Sequence, residues 1–131
     1  MIDPDVLERA TLIAQALDDK QAHDIVVLDV ADILSIVDVF VIADAGNVRL
    51  VRTLVETVEE RLTDAVGVKP RVVEGLDTST WVLLDYGDIV VHVFLDETRE
   101  FYSLERLWAD APRYEFDAAS GAISTSAASA S

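Results

Sequence analysis

The chain has 131 residues, 51% of them hydrophobic, which suits one domain with an ample core. Its 25 acidic and 10 basic residues give a formal net charge of −15, which repels nucleic-acid backbones and makes nucleic acid a poor partner. With no cysteine and no apolar run of the roughly 18 residues that span a bilayer, disulfides, thiolate metal sites and membrane helices are excluded, and we expect a cytoplasmic protein.

The first half of the chain predicts a helix, two strands and a second helix. Asp3 is a suitable N-cap before Pro4, and apolar residues follow at helical spacing. The β-branched run over residues 24–30 predicts a first strand, and residues 39–43 predict a second. Asn47 can cap the second helix, which presents a continuous apolar stripe.

The second half predicts three further strands and a last helix. Residues 71–75 are typical of a short strand, and two apolar runs then flank Gly87 and Asp88, a pair that suits a two-residue type II′ turn. Two brief helices, or one broken helix, are expected over Glu97–Tyr102 and Ser103–Ala109.

The order α-β-β-α-β-β-β-α predicts an α/β domain in which helices flank a mixed sheet. We place this domain at residues 1–117. Residues 118–131, AASGAISTSAASAS, have no charge, aromatic side chain or periodicity, so they predict a disordered Ala/Ser-rich tail.

The predicted hairpin has two faces of different composition. A two-residue turn places Leu83 opposite His92 and Trp81 opposite Phe94, whereas another turn register would reassign the faces. One face then carries Trp81, Leu83, Asp85, Val90, His92 and Phe94, and the reverse carries Val82, Leu84, Tyr86, Ile89, Val91 and Val93. The aliphatic reverse is typical of core. The aromatic and polar face is typical of a protein interface, although helices covering both faces would make Trp81 a core residue.

The sequence offers little catalytic chemistry. It contains no G-x-S-x-G elbow and no glycine-rich phosphate loop. His23 has no neighbouring ligand in sequence, and a structural role is favoured for His92 inside its apolar strand. Four acids flank strands, as a two-metal site would require, but such acids commonly bond to turn backbone: Asp29, Asp38, Asp85 and Asp88. We therefore expect no catalytic residue, no metal, no cofactor and no enzyme.

A signature of specific spacing runs through Val73–Arg113: VEG, then WVLLDYGDIVVHVF, then REFYSLERLW. It closely resembles the signature of the ribosomal silencing factor (Iojap-like, RsfS) family. Upstream, DDKQAHDIVVLDV and FVIA are similar to the first helix–strand junction and second strand of that family, so the likeness covers roughly residues 5–115. The turn DAGNVRLV departs from the family pattern T-G-T-S-x-R-Q-V, keeping Arg49 and Val51 but not the small polar residues.

The resemblance implies a fold related to nucleotidyltransferases without their catalytic aspartates. It also implies binding to ribosomal protein uL14 on the large subunit, which sterically blocks joining of the small subunit and represses translation. A basic partner suits the segment Val72–Thr98, which lacks Lys and Arg. The candidate partner-binding residues are three apolar anchors and three acids: Trp81, Leu84, Tyr86, Glu74, Asp85 and Asp88.

Two alternatives and one conflict accompany this hypothesis. An enzyme with the same scaffold would hold a metal ion on Asp38, Asp44 or Asp85 and bind a nucleotide. Exposed strand edges and the aromatic face could instead pair two copies as a homodimer. Leu84 and Tyr86 lie on the hairpin face that the alternation assigns to the core, so their assignment as anchors conflicts with the pattern.

Overall fold

A computed structural model describes residues 2–102, 109 and 111–125, without the side chains of residues 100–102 and 125. In these residues, seven strands form one mixed sheet that is accompanied by three helices. The helices are α1 (Pro4–Asp19), α2 (Val48–Val66) and α3 (Asp96–Tyr102). The strands are β1 (His23–Asp29), β2 (Val39–Ala45), β3 (Val72–Glu74), β4 (Trp81–Asp85), β5 (Ile89–Leu95), β6 (Arg113–Asp117) and β7 (Ala122–Thr125). This architecture confirms the predicted α/β class.

The sheet has the order β3-β4-β5-β2-β1-β6-β7. β2 and β5 are parallel, and the other described pairs are antiparallel. The carboxyl ends of β2 and β5 therefore lie side by side, and α3 follows β5 directly at that end. No helix among the described residues is long and apolar enough to cross a membrane.

The predicted helix caps are confirmed. Asp3 accepts a hydrogen bond from the backbone N–H of Asp5 at 2.9 Å, and Asn47 accepts one from Leu50 at 2.8 Å. Such caps satisfy N–H groups that have no partner inside the helix and typically contribute about 1 kcal/mol. α2 ends at Gly67, whose φ of 67° is the left-handed conformation that glycine adopts without strain.

The hairpin register is also confirmed. Leu83 pairs with His92 and Trp81 with Phe94. Gly87 has a φ of 92° at the turn, and around it the Tyr86 N–H donates to the Ile89 carbonyl at 2.8 Å.

The main core lies between the sheet and the pair α1–α2, which pack against each other. The apolar stripes of both helices and the aliphatic face of the hairpin meet there. We call this sheet surface the helix-covered face, and the opposite surface the second face. The second face carries a smaller core: Val26, Leu28, Val30, Phe40, Ile42, Val90, Phe94 and Ala111.

The C-terminal region differs from the prediction. Residues 118–125, expected to be disordered, form a turn and β7, which pairs with β6; β6 in turn pairs with β1. The Asp117 side chain accepts a hydrogen bond from Ala119 at 3.0 Å, and Gly121, at φ 69°, closes the turn. Main-chain pairing and packing of Ile123 on the core stabilise a strand whose side chains are mostly small, which is why composition failed to reveal it.

Two further predictions extend beyond the described residues. The rest of the predicted tail, residues 126–131, lies outside them, and so does the predicted helix over Ser103–Ala109 apart from Ala109 itself, which is in a turn.

Candidate functional site

One edge of the second face combines apolar and acidic side chains. The antiparallel register places Glu74 opposite Leu83 and Val72 opposite Asp85, so these residues share a face with Trp81. We call these five residues the edge surface. Val72 is 43% exposed and Glu74 is exposed, whereas the three residues on β4 are partly buried.

Trp81 is held in place by aromatic neighbours. Its ring stacks on Phe94 with centroids 4.9 Å apart, and its Nε1 donates a hydrogen bond to His92 Nδ1 at 3.1 Å. His92 in turn meets Phe40 edge to face at 4.7 Å. A side chain fixed in this way loses little conformational freedom on binding, which favours affinity.

His92 is neutral at physiological pH. Burial lowers the pKa of His92 to about 4. Because its Nδ1 accepts from Trp81, the ring proton resides on Nε2, which has no hydrogen-bond partner among the described residues. His92 therefore orients the indole of Trp81, which is a structural role, and it belongs to no group of three potential metal ligands among the described residues.

Leu84 and Tyr86 do not belong to the edge surface. Leu84 is fully buried and Tyr86 is 7% exposed, both in the core beneath the helices. Because strand side chains alternate between faces, they point away from Trp81. This placement corrects their assignment as apolar anchors, and it puts Leu83 beside Trp81 instead. Burial also raises the pKa of Tyr86, whose hydroxyl has no hydrogen-bond partner among the described residues.

The three predicted acids have different surroundings. Asp88 forms a two-point ion pair with Arg9 of α1, at 2.8 and 2.5 Å, and the hydrogen bond from Arg9 lowers the pKa of Asp88. Asp85 accepts a hydrogen bond from the Gly87 N–H at 2.7 Å and so supports the turn. The Glu74 side chain is exposed and forms no hydrogen bond or ion pair with the described residues.

A second polar cluster lies at the carboxyl ends of β2 and β5. His23 Nδ1 is 3.5 Å from a carboxylate oxygen of Asp44 and 3.5 Å from one of Asp96. Arg99 donates to the other Asp44 oxygen at 2.9 Å. Burial, followed by the neighbouring Asp96, raises the pKa of Asp44 to about 6, against the opposing effect of Arg99. We call His23, Asp44 and Asp96 the histidine–carboxylate cluster.

Sequence reasoning missed this cluster because its members come from β1, β2 and α3. His23 has no ligand nearby in sequence, and its neighbours arrive only through strand pairing. A usable signal was present: Asp44 and Asp96 both stand at the ends of apolar strands, and the ends of parallel strands meet at one side of a sheet.

The three acids proposed for the alternative enzyme do not all lie at one place in the sheet. Asp38 precedes β2 and Asp44 lies six residues further along, so about 20 Å separates them. Asp85, which pairs with Val90, lies toward the Asp38 end. Among the described residues, the one group with metal-ligand spacing is the histidine–carboxylate cluster.

Comparison with known proteins gives a consistent result. A family model described as "Ribosomal silencing factor during starvation" matches residues 3–131. The chain is similar to ribosomal silencing factor RsfS of Bacillus subtilis, with 39% identity over 104 residues, 79% of this chain and 87% of that protein. RsfS of Zymomonas mobilis is 41% identical over 106 residues, 81% and 77% of the two chains. A crystal structure of a Chromobacterium violaceum protein matches with a TM-score of 0.74 and 36% identity, over 78% of this chain and 84% of that chain.

Proposed function

This chain belongs to the ribosomal silencing factor family, and from that premise we propose that it represses translation by binding ribosomal protein uL14 on the large subunit and blocking entry of the small subunit. The observation that carries the proposal is the edge surface, where a fixed indole lies among apolar and acidic side chains. This is the composition of a protein-binding surface.

The apolar part of the edge surface supplies binding energy. Trp81 and Leu83 are adjacent on one face of β4, each with part of its surface exposed. Large aromatic side chains at the centre of an interface commonly contribute more than 2 kcal/mol when a partner covers them. We therefore assign Trp81 and Leu83 as the two central contacts with uL14.

The charge of the same region selects the partner. No Lys or Arg occurs between Val72 and Thr98, and the net charge of −15 favours a basic protein. Glu74 lies at the rim, where an acid mainly raises the association rate at low salt. Asp88 is paired with Arg9 of α1, so we assign it to holding the hairpin turn against α1 and not to the contact with uL14.

The size of the bound domain explains how it would repress translation. A domain of this length has a radius of gyration of about 14 Å. Subunit joining requires direct contact between the facing surfaces, so a rigid body of that size on the intersubunit side keeps them apart. No chemical step is needed, and repression depends only on how long the protein stays bound.

Binding of purified uL14, measured by calorimetry, tests the docking step. We expect saturable one-to-one binding, weakened about 30-fold or more by Trp81→Ala, because 2 kcal/mol corresponds to roughly that factor. Val66→Ala is the matched control, since Val66 is an apolar side chain, 39% exposed, on α2, which packs on the opposite face of the sheet. Equal affinity of both variants would remove Trp81 from the interface.

Self-association is a competing use of the same surface. If two copies paired through the edge surface, the Trp81→Ala variant would become monomeric, and added uL14 would dissociate the wild-type dimer. Sedimentation velocity with and without uL14 measures both effects.

A further inference from the structure

We propose that the histidine–carboxylate cluster of His23, Asp44 and Asp96 binds a divalent transition-metal cation, for which Zn²⁺ is the best fit. The sequence alone predicts no metal site, and the proposal rests on the position of these side chains in the fold. It is independent of the uL14-binding proposal, because the cluster lies at the carboxyl ends of β2 and β5 and shares no residue with the edge surface.

The spacing of the ligand atoms matches a tetrahedral site. His23 Nδ1 lies 3.5 Å from oxygens of both Asp44 and Asp96, and all three ligand atoms lie within 4.8 Å of one another. Four ligands about 2.1 Å from zinc in a tetrahedron are about 3.4 Å apart. The cluster therefore needs only small side-chain adjustments to hold an ion.

The donor set selects the cation. One imidazole nitrogen and two carboxylates suit zinc and its transition-metal neighbours, whereas Mg²⁺ and Ca²⁺ prefer oxygen ligands in larger number. Three protein ligands leave one tetrahedral position for water. His23 is 57% exposed in its side chain, so the ion has a path from solvent and room for that water.

One carboxylate oxygen of the cluster is buried without a hydrogen-bond partner among the described residues. Asp96 Oδ1 is shielded from solvent yet accepts no hydrogen bond from the described residues. It faces His23 Nδ1 and lies beside the buried Asp44, whose other carboxylate oxygen is the one bound by Arg99. A divalent cation would supply the partner that this oxygen lacks.

Arg99 fits the site as a supporting group and not as a competitor. Its Nη1 donates to Asp44 Oδ2 at 2.9 Å and to the Asp24 carbonyl at 2.8 Å, which leaves the other Asp44 oxygen toward His23. Ligating carboxylates in metal sites are commonly held by such second contacts.

Binding would join three distant segments. His23 begins β1, Asp44 is next to the end of β2, and Asp96 begins α3. A cation held by all three fixes the first turn of α3 to the sheet. We infer that the site acts as a structural clamp for α3, with no catalytic step assigned to it.

Zinc binding to the full chain, measured by competition with a chromogenic chelator and by thermal unfolding, tests the proposal. We expect one-to-one binding and a melting temperature raised by roughly 10 °C when free zinc reaches a hundredfold excess over its Kd. His23→Gln and Asp96→Asn should each weaken binding at least tenfold, because each removes one of three ligands. Both positions are substantially exposed in their side chains, so these variants should fold.

The control is Asp64→Asn, which removes an exposed acid on α2 outside the cluster and should leave zinc affinity unchanged. X-ray absorption of the zinc-loaded protein should show a single nitrogen ligand among oxygens. Equal zinc affinity in the wild type and His23→Gln, or absorption without a histidine ligand, would overturn the proposal in favour of diffuse binding to surface acids. Absence of saturable zinc binding would overturn it directly.

Discussion

The two faces of the β4–β5 hairpin are both largely apolar in sequence, yet they differ in what covers them. Under α1 and α2, Leu84 and Tyr86 are buried with aliphatic neighbours. On the second face, burial is complete at Phe94 but only partial at Trp81 and Leu83. An apolar strand face therefore indicates that the protein covers at least part of that face. The apolar side chains that stay partly exposed are the ones that a partner could cover.

Adjacent leucines on the two faces give the largest expected contrast. Leu84→Ala empties a fully buried position and should lower the free energy of unfolding by about 3 kcal/mol. Leu83→Ala removes a partly exposed side chain and should lower it by about 1 kcal/mol, while weakening uL14 binding. Urea unfolding and uL14 calorimetry on both variants measure the two effects. Equal stability losses would contradict the assignment of faces.

The pH dependence of folding stability tests the burial of His92 on the second face. Its pKa is about 4 when folded, below the usual value of 6.5, so between these values the unfolded state binds more protons and folding weakens as pH falls. The contribution of His92 is complete above pH 6.5, and roughly 2 kcal/mol of it should be lost at pH 5. Asp44, with a pKa raised to about 6, acts in the opposite direction, so the measured quantity is the difference between wild type and His92→Gln.

The expected result is a steeper loss of unfolding free energy below pH 6.5 in the wild type than in His92→Gln. An NMR titration of the folded wild type should place the His92 midpoint near pH 4. A midpoint near 6.5 would show that His92 is not buried as described, and Trp81 would then lack its fixed acceptor.

Substitutions of Asp88 and Glu74 give the smallest expected effects. They separate an acid that stabilises the fold from an acid that contacts the partner. Asp88→Asn weakens the ion pair with Arg9 and should cost about 1 kcal/mol of stability with little change in uL14 affinity. Glu74→Gln should leave stability unchanged and slow uL14 association at low salt by a few-fold. Stopped-flow measurement of uL14 association at two salt concentrations distinguishes the two variants. If Asp88→Asn slowed association in a salt-dependent way and Glu74→Gln did not, Asp88 and not Glu74 would be the interface acid.

Features that depend on residues close in sequence could be predicted from the sequence. The caps at Asp3 and Asn47 and the hairpin register follow from short-range chemistry, and all three are confirmed. The hypothesis of a partner-binding hairpin makes Leu84 and Tyr86 candidate anchors, whereas the two-residue alternation places them in the core, where the structure has them buried. When the two kinds of reasoning disagree over a buried face, the alternation is the safer guide.

Long-range pairing explains what the patterns within single segments could not reveal. β7 consists of Ala122–Thr125, four residues with a single large apolar side chain, and it is stabilised by pairing with β6. The histidine–carboxylate cluster likewise exists because β1, β2 and α3 bring His23, Asp44 and Asp96 together. Neither feature has a periodic or motif-like signal within its own segment.

Subunit joining, followed by light scattering on purified large and small subunits, tests the central claim most directly. With this protein in excess over large subunits, we predict that formation of the complete ribosome falls strongly, and that Trp81→Ala restores it while Val66→Ala does not. Joining to its normal extent in the presence of saturating, folded wild-type protein would contradict the proposal that this domain works by keeping the two particles apart.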